Sequence, residues 1–340
     1  MTNLTYAQLG WSRFFATLAD ADETHPLRVA EVHRNAVSAL APEGPQLLNV
    51  PQSIGPLAVG DWVTAEDDAV IHRFERQSTL ERRAPGEDVR TQLIAANVTT
   101  LGIVSSCNAD FNIRRLERYL ILAADAGCLP LVILTKADQT DDIDDYVRKT
   151  TALSPLVTVL ALNARDAADI ALLHPWCREA DTLALVGSSG VGKTTIRNAL
   201  TGDDAATQDI REDDARGRHT TTSRALVRTK AGGWLIDTPG MRALRLFDVG
   251  DGLQAVFADI EELAQACRFN DCAHETEPGC KVQDALADGR LESDRIARWK
   301  KLKAEDLRNS ESIAKGRARA KAFQKGVNSA VSRKRNQRKD

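Results

Sequence analysis

The sequence lacks the features that would place the chain in a membrane or carry it out of the cell. None of its apolar runs reaches eighteen residues, which is about the length that a helix needs to cross a bilayer. Its beginning, MTNLTYAQLGWSRFF, has neither the basic segment nor the apolar stretch of a secretory signal. We therefore expect a cytoplasmic protein without a membrane partner.

A strong excess of one charge is also missing, since the net charge over 340 residues is −3. The mean hides an asymmetry: residues 295–340 hold sixteen Lys or Arg against four Asp or Glu, a balance of +12, which leaves −15 for the rest. The sequence thus predicts an acidic body with a basic tail at 309–340 that is disordered in isolation. The chain is 43% hydrophobic, which is enough to bury real cores, and its 340 residues suggest two or three domains. We expect a monomer.

Residues 27–83 contain five short β-type runs separated by Pro, Gly, Asn and Asp. This pattern predicts a small β-barrel within an N-terminal region at 1–90. Five strands of this length suit an OB-fold, which offers a face for RNA, although an SH3-like barrel fits nearly as well. A purely structural β-module is a further interpretation.

From 91 to 248 apolar strands alternate with helical stretches, which predicts an α/β domain with a parallel sheet. One of these strands, TLALV, runs into GSSGVGKTT at 187–195, which satisfies the phosphate-loop pattern G-x-x-x-x-G-K-[ST]. Backbone N–H groups would surround the β-phosphate, Lys193 would reach the β- and γ-oxygens, and the Thr194 hydroxyl would bind Mg²⁺. The predicted ligands in this loop are Gly187, Ser188, Ser189, Gly190, Val191, Gly192, Lys193, Thr194 and Thr195.

Two further segments fit the same nucleotide. WLIDTPG ends a β-run with Asp237, where the second acidic anchor for Mg²⁺ belongs, and the backbone N–H of Gly240 would meet the γ-phosphate. The polar segment GRHTTTSR lies between, and Thr221 or Thr222 would complete the Mg²⁺ ligands and order this segment as a switch. A segment that is merely rich in threonine is the alternative interpretation.

The base is predicted to bind at TKAD, which follows the strand PLVIL. The Asp138 carboxylate can accept hydrogen bonds from the N1–H and N2–H₂ edge of guanine, an edge that adenine lacks, and the Lys136 stem can cover the purine face. Thr135 stands where Asn is commoner and would brace the loop with fewer hydrogen bonds; Ala137 completes the motif. Later, Asn163 and Ala164 stand where Ser-Ala is usual, with the Ala164 N–H directed at guanine O6.

These motifs follow one another in an unusual order. The base-reading segments precede the phosphate loop, the threonine segment and D-x-P-G, which is the ordinary GTPase cycle entered halfway round. Because an accidental set of matches would not keep this cyclic order, we interpret the domain as circularly permuted. Permutation costs little when the old termini lie close together at the surface.

Residues 249–308 contain a cluster of cysteine and histidine residues that could bind a metal ion. Cys267, Cys272, His274 and Cys280 form C-x4-C-x-H-x5-C, whereas the other three cysteines stand singly in apolar surroundings. Three thiolates and one imidazole make a closed tetrahedral set, which predicts one structural Zn²⁺ in a helical zinc-binding domain. Unmetallated thiols are the alternative.

The sequence resembles the RsgA (YjeQ) family of GTPases, which depend on the small ribosomal subunit. The segments that carry the resemblance are TQLIAANVTTLGIV, FNIRRLERYL, TKAD, GSSGVGKTT, GRHTTT, LIDTPGMR and CRFNDCAHETEPGC. The resemblance covers about residues 27–305. It implies an OB-fold barrel, a permuted GTPase domain that binds GTP and GDP, a zinc domain, rRNA binding, and a role in late maturation of the small ribosomal subunit.

The residues also bear on how fast such an enzyme would work. Met241 follows D-T-P-G where Ras-like enzymes carry a Gln that orients water, so slow unassisted turnover is expected. His219 is a candidate to orient the water, although a loop histidine without catalytic duty fits equally. Two rival functions remain, a nucleotide-gated RNA-binding module with incidental hydrolysis and a zinc-bearing DNA-binding ATPase.

Overall fold

The computed structural model describes residues 4–83, 91–203, 224–238, 246 and 249–310. The strands in these ranges are β1 Leu27–Val32, β2 Ala36–Ala41, β3 Gly44–Asn49, β4 Trp62–Glu66, β5 Ala69–Arg73, β6 Thr79–Arg83, β7 Thr91–Ala96, β8 Thr100–Ser106, β9 Leu129–Thr135, β10 Thr158–Ala161, β11 Thr182–Gly187, β12 Leu226–Arg228 and β13 Trp234–Asp237. The α-helices are α1 Tyr6–Leu9, α2 Arg13–Ala16, α3 Ala21–Thr24, α4 Ile113–Asp125, α5 Ile143–Thr151, α6 Ala167–Ala171, α7 Lys193–Thr201, α8 Gly250–Val256, α9 Ala258–Gln265, α10 Lys281–Ala287 and α11 at 293–310. Short 3₁₀ helices occupy Gln52–Ile54, Ala137–Gln139 and His174–Trp176.

The first five strands close into a barrel in the order β1-β2-β3-β5-β4. Closure depends on two pairings: β3 meets β5 in parallel at Asn49 and Ala69, and β1 meets β4 antiparallel at Arg28 and Trp62. Alternate residues such as Val37, Ala39 and Leu48 face the interior and are buried. This five-stranded barrel confirms the OB-fold prediction over the SH3-like alternative.

An N-terminal segment, residues 4–26, packs against the outside of this barrel. The Trp11 ring lies edge-on to Trp62 at 4.9 Å and to Phe74 at 5.1 Å between ring centroids. Phe15 stacks on Trp11 at 5.2 Å and is 1% exposed. Aromatic contacts of this kind bury large apolar area, so the segment belongs to the folded body.

The central sheet has the order β10-β9-β8-β11-β13-β12. Five of its strands are parallel, and residues of β8 such as Leu101 and Ile103 are fully buried because helices cover both faces. The sheet is parallel, as predicted, except at its edge, where β12 runs antiparallel to β13. Only residues 229–233 join these two strands, and so short a connection permits a hairpin but no crossover.

The C-terminal helices pack onto the central domain through α4 and α11. Glu117 of α4 is 0% exposed, and its Oε1 accepts a hydrogen bond from Arg298 Nε at 2.8 Å. Arg118 donates to Glu305 Oε1 at 2.7 Å. Because a buried carboxylate needs a cationic partner, α11 is an integral part of this core.

Helix α11 includes residues 309 and 310, so the tail predicted from 309 begins as helix. Residues 311–340 lie outside the described ranges, and the predicted domain boundaries at 90, 248 and 308 stay predictions. In the part of the chain that the structure describes, no helix is long and apolar enough to cross a membrane.

Candidate nucleotide site and metal centre

The predicted nucleotide motifs that fall within the described ranges, TKAD, Asn163-Ala164, the phosphate loop and Asp237, follow strands that end at one edge of the central sheet. Strands β9, β10, β11 and β13 run parallel, so the segments that follow their carboxyl ends emerge on the same side. Strand β8 alone separates β9 from β11. The edge of an α/β sheet beyond its carboxyl ends is where such folds bind ligands.

The phosphate loop joins β11 to α7 and depends on Gly187. Its φ is +142°, and a Cβ at this position would lie 2.3 Å from the Val104 carbonyl oxygen, so only glycine fits. Lys193, the first residue of α7, donates from Nζ to the carbonyl oxygens of Gly187, at 2.9 Å, and Ser188. These bonds hold the ammonium group over the loop, beside the N–H groups at the start of the helix.

The TKAD segment is hydrogen-bonded directly to the phosphate loop. Thr135 is 1% exposed, and its hydroxyl donates to the Val191 carbonyl oxygen at 2.6 Å. Lys136 adopts a left-handed conformation with φ of +59°, and Asp138 follows with an exposed side chain. One short hydrogen bond therefore fixes the TKAD segment against the predicted phosphate loop.

We expect Thr135→Val to weaken GDP binding by about 5- to 30-fold. The change preserves shape but leaves the Val191 carbonyl without its donor, a loss of about 1–2 kcal/mol. Fluorescent GDP dissociation rates would measure it. Thr135→Ser keeps the hydroxyl and should bind GDP nearly as the wild type does; equal affinity in the valine variant would show that the bond does not brace the site.

Asn163 and Ala164 lie beside the TKAD segment. The Ala137 N–H donates to the Leu162 carbonyl oxygen at 3.4 Å, which joins the two segments. Asn163 Oδ1 accepts from the Arg165 N–H at 3.0 Å, an Asx turn that gives Asn a clear structural use where Ser is commoner. Ala164 is 8% exposed.

Asp237 ends β13 next to the phosphate loop. Burial raises the pKa of this carboxyl, and the positive charges of Arg197 and Lys193 act against that rise. The neighbouring Thr238 is 0% exposed and donates to the Leu185 carbonyl oxygen at 2.6 Å, which ties this end of β13 to β11. A half-buried carboxylate so close to the loop is a suitable anchor for a divalent cation.

Some of the predicted nucleotide-site residues fall outside the described ranges, and three residues near the site were not predicted from the sequence. Gly240, His219, Thr221 and Thr222 lie outside. The sequence analysis did not single out Arg197, Thr238, or Asp169, whose Oδ2 accepts from the Asn163 N–H at 2.7 Å. Thr238 stands inside the D-T-P-G pattern, but that pattern does not reveal its bond to Leu185, and no pattern marks Arg197 or Asp169.

The cysteine and histidine cluster forms a second site. The ligand atoms of Cys267, Cys272, His274 and Cys280 all lie within 4.8 Å of one another. His274 Nδ1 is 3.6 Å from Cys267 Sγ and 3.5 Å from Cys280 Sγ, and those two sulfurs are 3.9 Å apart. A tetrahedral ion with Zn–S of about 2.3 Å and Zn–N of about 2.1 Å separates its ligands by about 3.5–3.8 Å, so the cluster fits one.

The protonation states suit a metal as well. Burial lowers the pKa of His274, so its ring is neutral at pH 7, as a metal ligand must be. Desolvation acts to raise the pKa of Cys267, but N–H groups of Lys281 and Val282 outweigh it and lower that pKa below its ordinary value. The metal-free cluster therefore favours a thiolate at Cys267 and a neutral imidazole at His274, whereas burial and the neighbouring sulfurs raise the pKa of Cys272 to about 11, so that thiol would lose its proton only on binding a metal.

Comparison with known proteins agrees with this geometry. The RsgA GTPase family matches residues 73–247. A protein of Mesorhizobium japonicum named small ribosomal subunit biogenesis GTPase RsgA is 49% identical over 314 residues, which cover 89% of this chain and 90% of that protein.

Two solved structures are similar at 23% identity. The crystal structure of YjeQ from Thermotoga maritima has a TM-score of 0.61 and covers 83% of this chain and 98% of its own. The crystal structure of YloQ, described as a circularly permuted GTPase, has a TM-score of 0.58. It covers 84% of this chain and 97% of its own. The likeness confirms the predicted fold, with its barrel and its α/β domain.

Proposed function

The chain belongs to the RsgA GTPase family, and on this basis we propose that it hydrolyses GTP to GDP and phosphate when it binds the small ribosomal subunit, whose late maturation it assists. The relative from Mesorhizobium japonicum is named as a small ribosomal subunit biogenesis GTPase and is similar over 90% of its length. The permuted motif order agrees with the description of YloQ. This function would place the protein in the cytoplasm.

One observation carries the proposal. Thr135 Oγ1 and the Val191 carbonyl oxygen are 2.6 Å apart, so the TKAD segment and the phosphate loop form two ends of a single site although their order along the chain is reversed. A guanine nucleotide would lie across β8 with its base at Asp138 and its phosphates at Lys193. Separate clefts for the two motifs would have argued against one nucleotide.

The roles of the base-binding residues follow from their chemistry. Asp138 accepts from the paired N–H donors of guanine, and the Lys136 stem covers the purine face. The Ala164 N–H is directed at guanine O6, while Thr135, Ala137 and Asn163 hold these segments in place. A carboxylate selects guanine because adenine has no matching pair of donors.

The residues that contact the phosphates supply positive charge where negative charge develops. The N–H groups of residues 187–195 and the Lys193 ammonium stabilise the γ-phosphoryl group as its bond breaks. Thr194 and Asp237, with Thr221 or Thr222, would hold Mg²⁺, which neutralises charge on the β- and γ-oxygens when bound. We assign the Gly240 N–H to the γ-phosphate and His219 to the attacking water.

The cysteine and histidine cluster would hold one structural zinc ion. Its three thiolates and one imidazole leave no open position for a substrate, so the ion serves the fold. The Trp299 ring of α11 lies 5.5 Å from the His274 ring, and Lys300 Nζ donates to the His274 carbonyl oxygen at 3.1 Å. The ion would therefore support the packing of α11 as well as its own loop.

We expect Cys280→Ser to lower bound zinc from about one ion per chain to near zero, because Cys280 is 2% exposed and a serine hydroxyl is a poor ligand for zinc. Metal analysis of purified protein measures this directly. Cys177→Ser changes another buried thiol outside the cluster and should keep the zinc. A Cys280 variant with a full complement of zinc would contradict the assignment.

The proposed contacts with rRNA are the barrel, the zinc-binding module and the basic tail. Lys and Arg in the tail attract phosphates without regard to sequence, so affinity for the subunit should fall as salt rises. The GTP-bound form would bind the subunit, and hydrolysis would release it. We expect one copy of the chain in each complex.

The GTPase rate with and without purified small subunits tests the function. The proposal expects a manyfold rise with small subunits and none with large subunits. An unchanged rate, together with GTP-dependent binding to RNA, would instead identify a nucleotide-gated RNA-binding module. A preference for ATP over GTP would reject both.

A further inference from the structure

Arg28 of β1 is a buried cation that the nucleotide chemistry does not use. It is 1% exposed, and burial lowers its pKa to about 9, so it remains protonated at neutral pH. Among the described residues no carboxylate offsets the effect of burial on the pKa of Arg28, and its Nε has no hydrogen-bond partner there. Burying an unpaired charge costs several kcal/mol, which an apolar side chain of equal size would avoid.

The contacts of Arg28 join three parts of the chain. Nη1 donates to the Leu9 carbonyl oxygen of the N-terminal segment at 2.6 Å, and Nη2 donates to Thr182 Oγ1 at 2.7 Å. The guanidinium carbon lies 5.8 Å from the ring centroids of both Trp62, in the barrel, and Trp234. The planar fork of an arginine reaches two acceptors at fixed angles, which a lysine cannot do.

The N-terminal segment is shaped around this side chain. A Cβ at Gly10 would lie 2.5 Å from Arg28 Nη1, so the close approach requires glycine. Trp234 Nε1 donates to the Gln8 carbonyl oxygen at 2.8 Å, which closes the contact from the other side. Barrel, segment and sheet therefore all meet at this side chain.

That point lies at the beginning of the two strands that lead to the phosphate site. Thr182 and Trp234 are the first residues of β11 and β13 and stand opposite each other. The other ends of these strands carry Gly187 and Asp237. A strand of six residues is about 20 Å long and is rigid within a sheet, so a displacement at its start reaches its end.

Strand β1 contacts the sheet a second time. Glu31 of β1 forms an antiparallel bridge with Ala225, the residue before β12. Thus one barrel strand is attached both to the strands that carry the phosphate site and to the strand at the sheet edge.

We propose that Arg28 is a positioning residue through which contact of the barrel with the small subunit is transmitted to the phosphate site. The inference rests on the proposed function, since it concerns stimulation by the subunit. The contacts of this arginine explain why a charge is kept where an apolar residue would pack. The guanidinium fixes the angle between barrel and sheet, and that angle is what the bound subunit would change.

The test uses the full-length protein with Arg28→Met, which fills similar space without donors, and Arg28→Lys, which keeps the charge but not the fork. Basal GTPase rate and GDP affinity should stay within about twofold of wild type, while stimulation by small subunits falls about tenfold in the Met variant. The Lys variant should retain part of the stimulation. Arg13→Met, an exposed arginine of α2, is the matched control and should be stimulated normally.

Full stimulation of Arg28→Met would overturn the proposal. So would a parallel fall of basal rate, GDP affinity and stimulation, since that pattern marks a purely structural role. If the Met variant does not fold, Thr182→Val removes the acceptor on the sheet side and must show the same selective loss, and no selective loss there rejects the idea. Absence of stimulation in the wild type would instead reject the proposed function itself.

Discussion

Lys193→Ala is expected to lower kcat for GTP hydrolysis by about 1,000-fold, or about 4 kcal/mol of transition-state stabilisation. The ammonium group is held at the loop by the Gly187 and Ser188 carbonyl oxygens, so it is already positioned for the phosphates before they bind. An alanine leaves the backbone N–H groups in place but removes the strongest charge. Phosphate release at saturating GTP measures the effect.

The matched control for this change is Lys149→Ala. Lys149 lies on α5, half-exposed, in a pair with Asp145 at 2.6 Å, and makes no contact with the phosphate loop. It should leave kcat within about twofold, because exposed ion pairs contribute about 0–1 kcal/mol. A Lys193 variant that hydrolyses GTP at the wild-type rate would show that this loop does not carry the reaction.

Asp138→Asn is expected to weaken GTP binding by about 100-fold and to improve binding of xanthosine triphosphate. The carboxylate accepts two charge-assisted hydrogen bonds from guanine, and their loss amounts to about 2–4 kcal/mol. Xanthine presents an acceptor in place of the amino group, so an amide, with one acceptor and one donor group, pairs with it. Competition between the two nucleotides for one fluorescent analogue gives both affinities.

The control is Asp141→Asn, the same change at an exposed carboxylate three residues further along. It should alter neither affinity. If Asp138→Asn bound GTP as tightly as the wild type, the base would be recognised elsewhere, and the interpretation of TKAD would be wrong even if hydrolysis persisted.

The sequence predicted the elements of the site better than it predicted their arrangement. TKAD and the phosphate loop each follow an apolar run, and this local pattern predicts their places at the ends of β9 and β11. Thr135 was expected to brace its loop with fewer hydrogen bonds than Asn would, but its partner could not be named: the hydroxyl bonds to Val191, 56 positions away. No pattern along the chain reveals such a partner.

The sequence likewise did not reveal which strands pair with each other. Five β-type runs predicted a barrel, but the OB-fold was distinguished from an SH3-like barrel only by the parallel contact between β3 and β5. The direction of β12 depended on the length of its connection to β13. The bond from Arg28 to Thr182 spans 154 positions, and only the folded chain brings these residues together.

The ion pairs between α11 and Glu117 make the folded protein sensitive to truncation of its C-terminal helix. A reading frame that stopped just ahead of residue 293 would still encode every predicted nucleotide motif and all four residues of the cysteine and histidine cluster. It would nevertheless leave the Glu117 carboxylate inside an apolar core with neither Arg295 nor Arg298 to oppose it. Such a product would be a substrate for proteases long before it met a nucleotide.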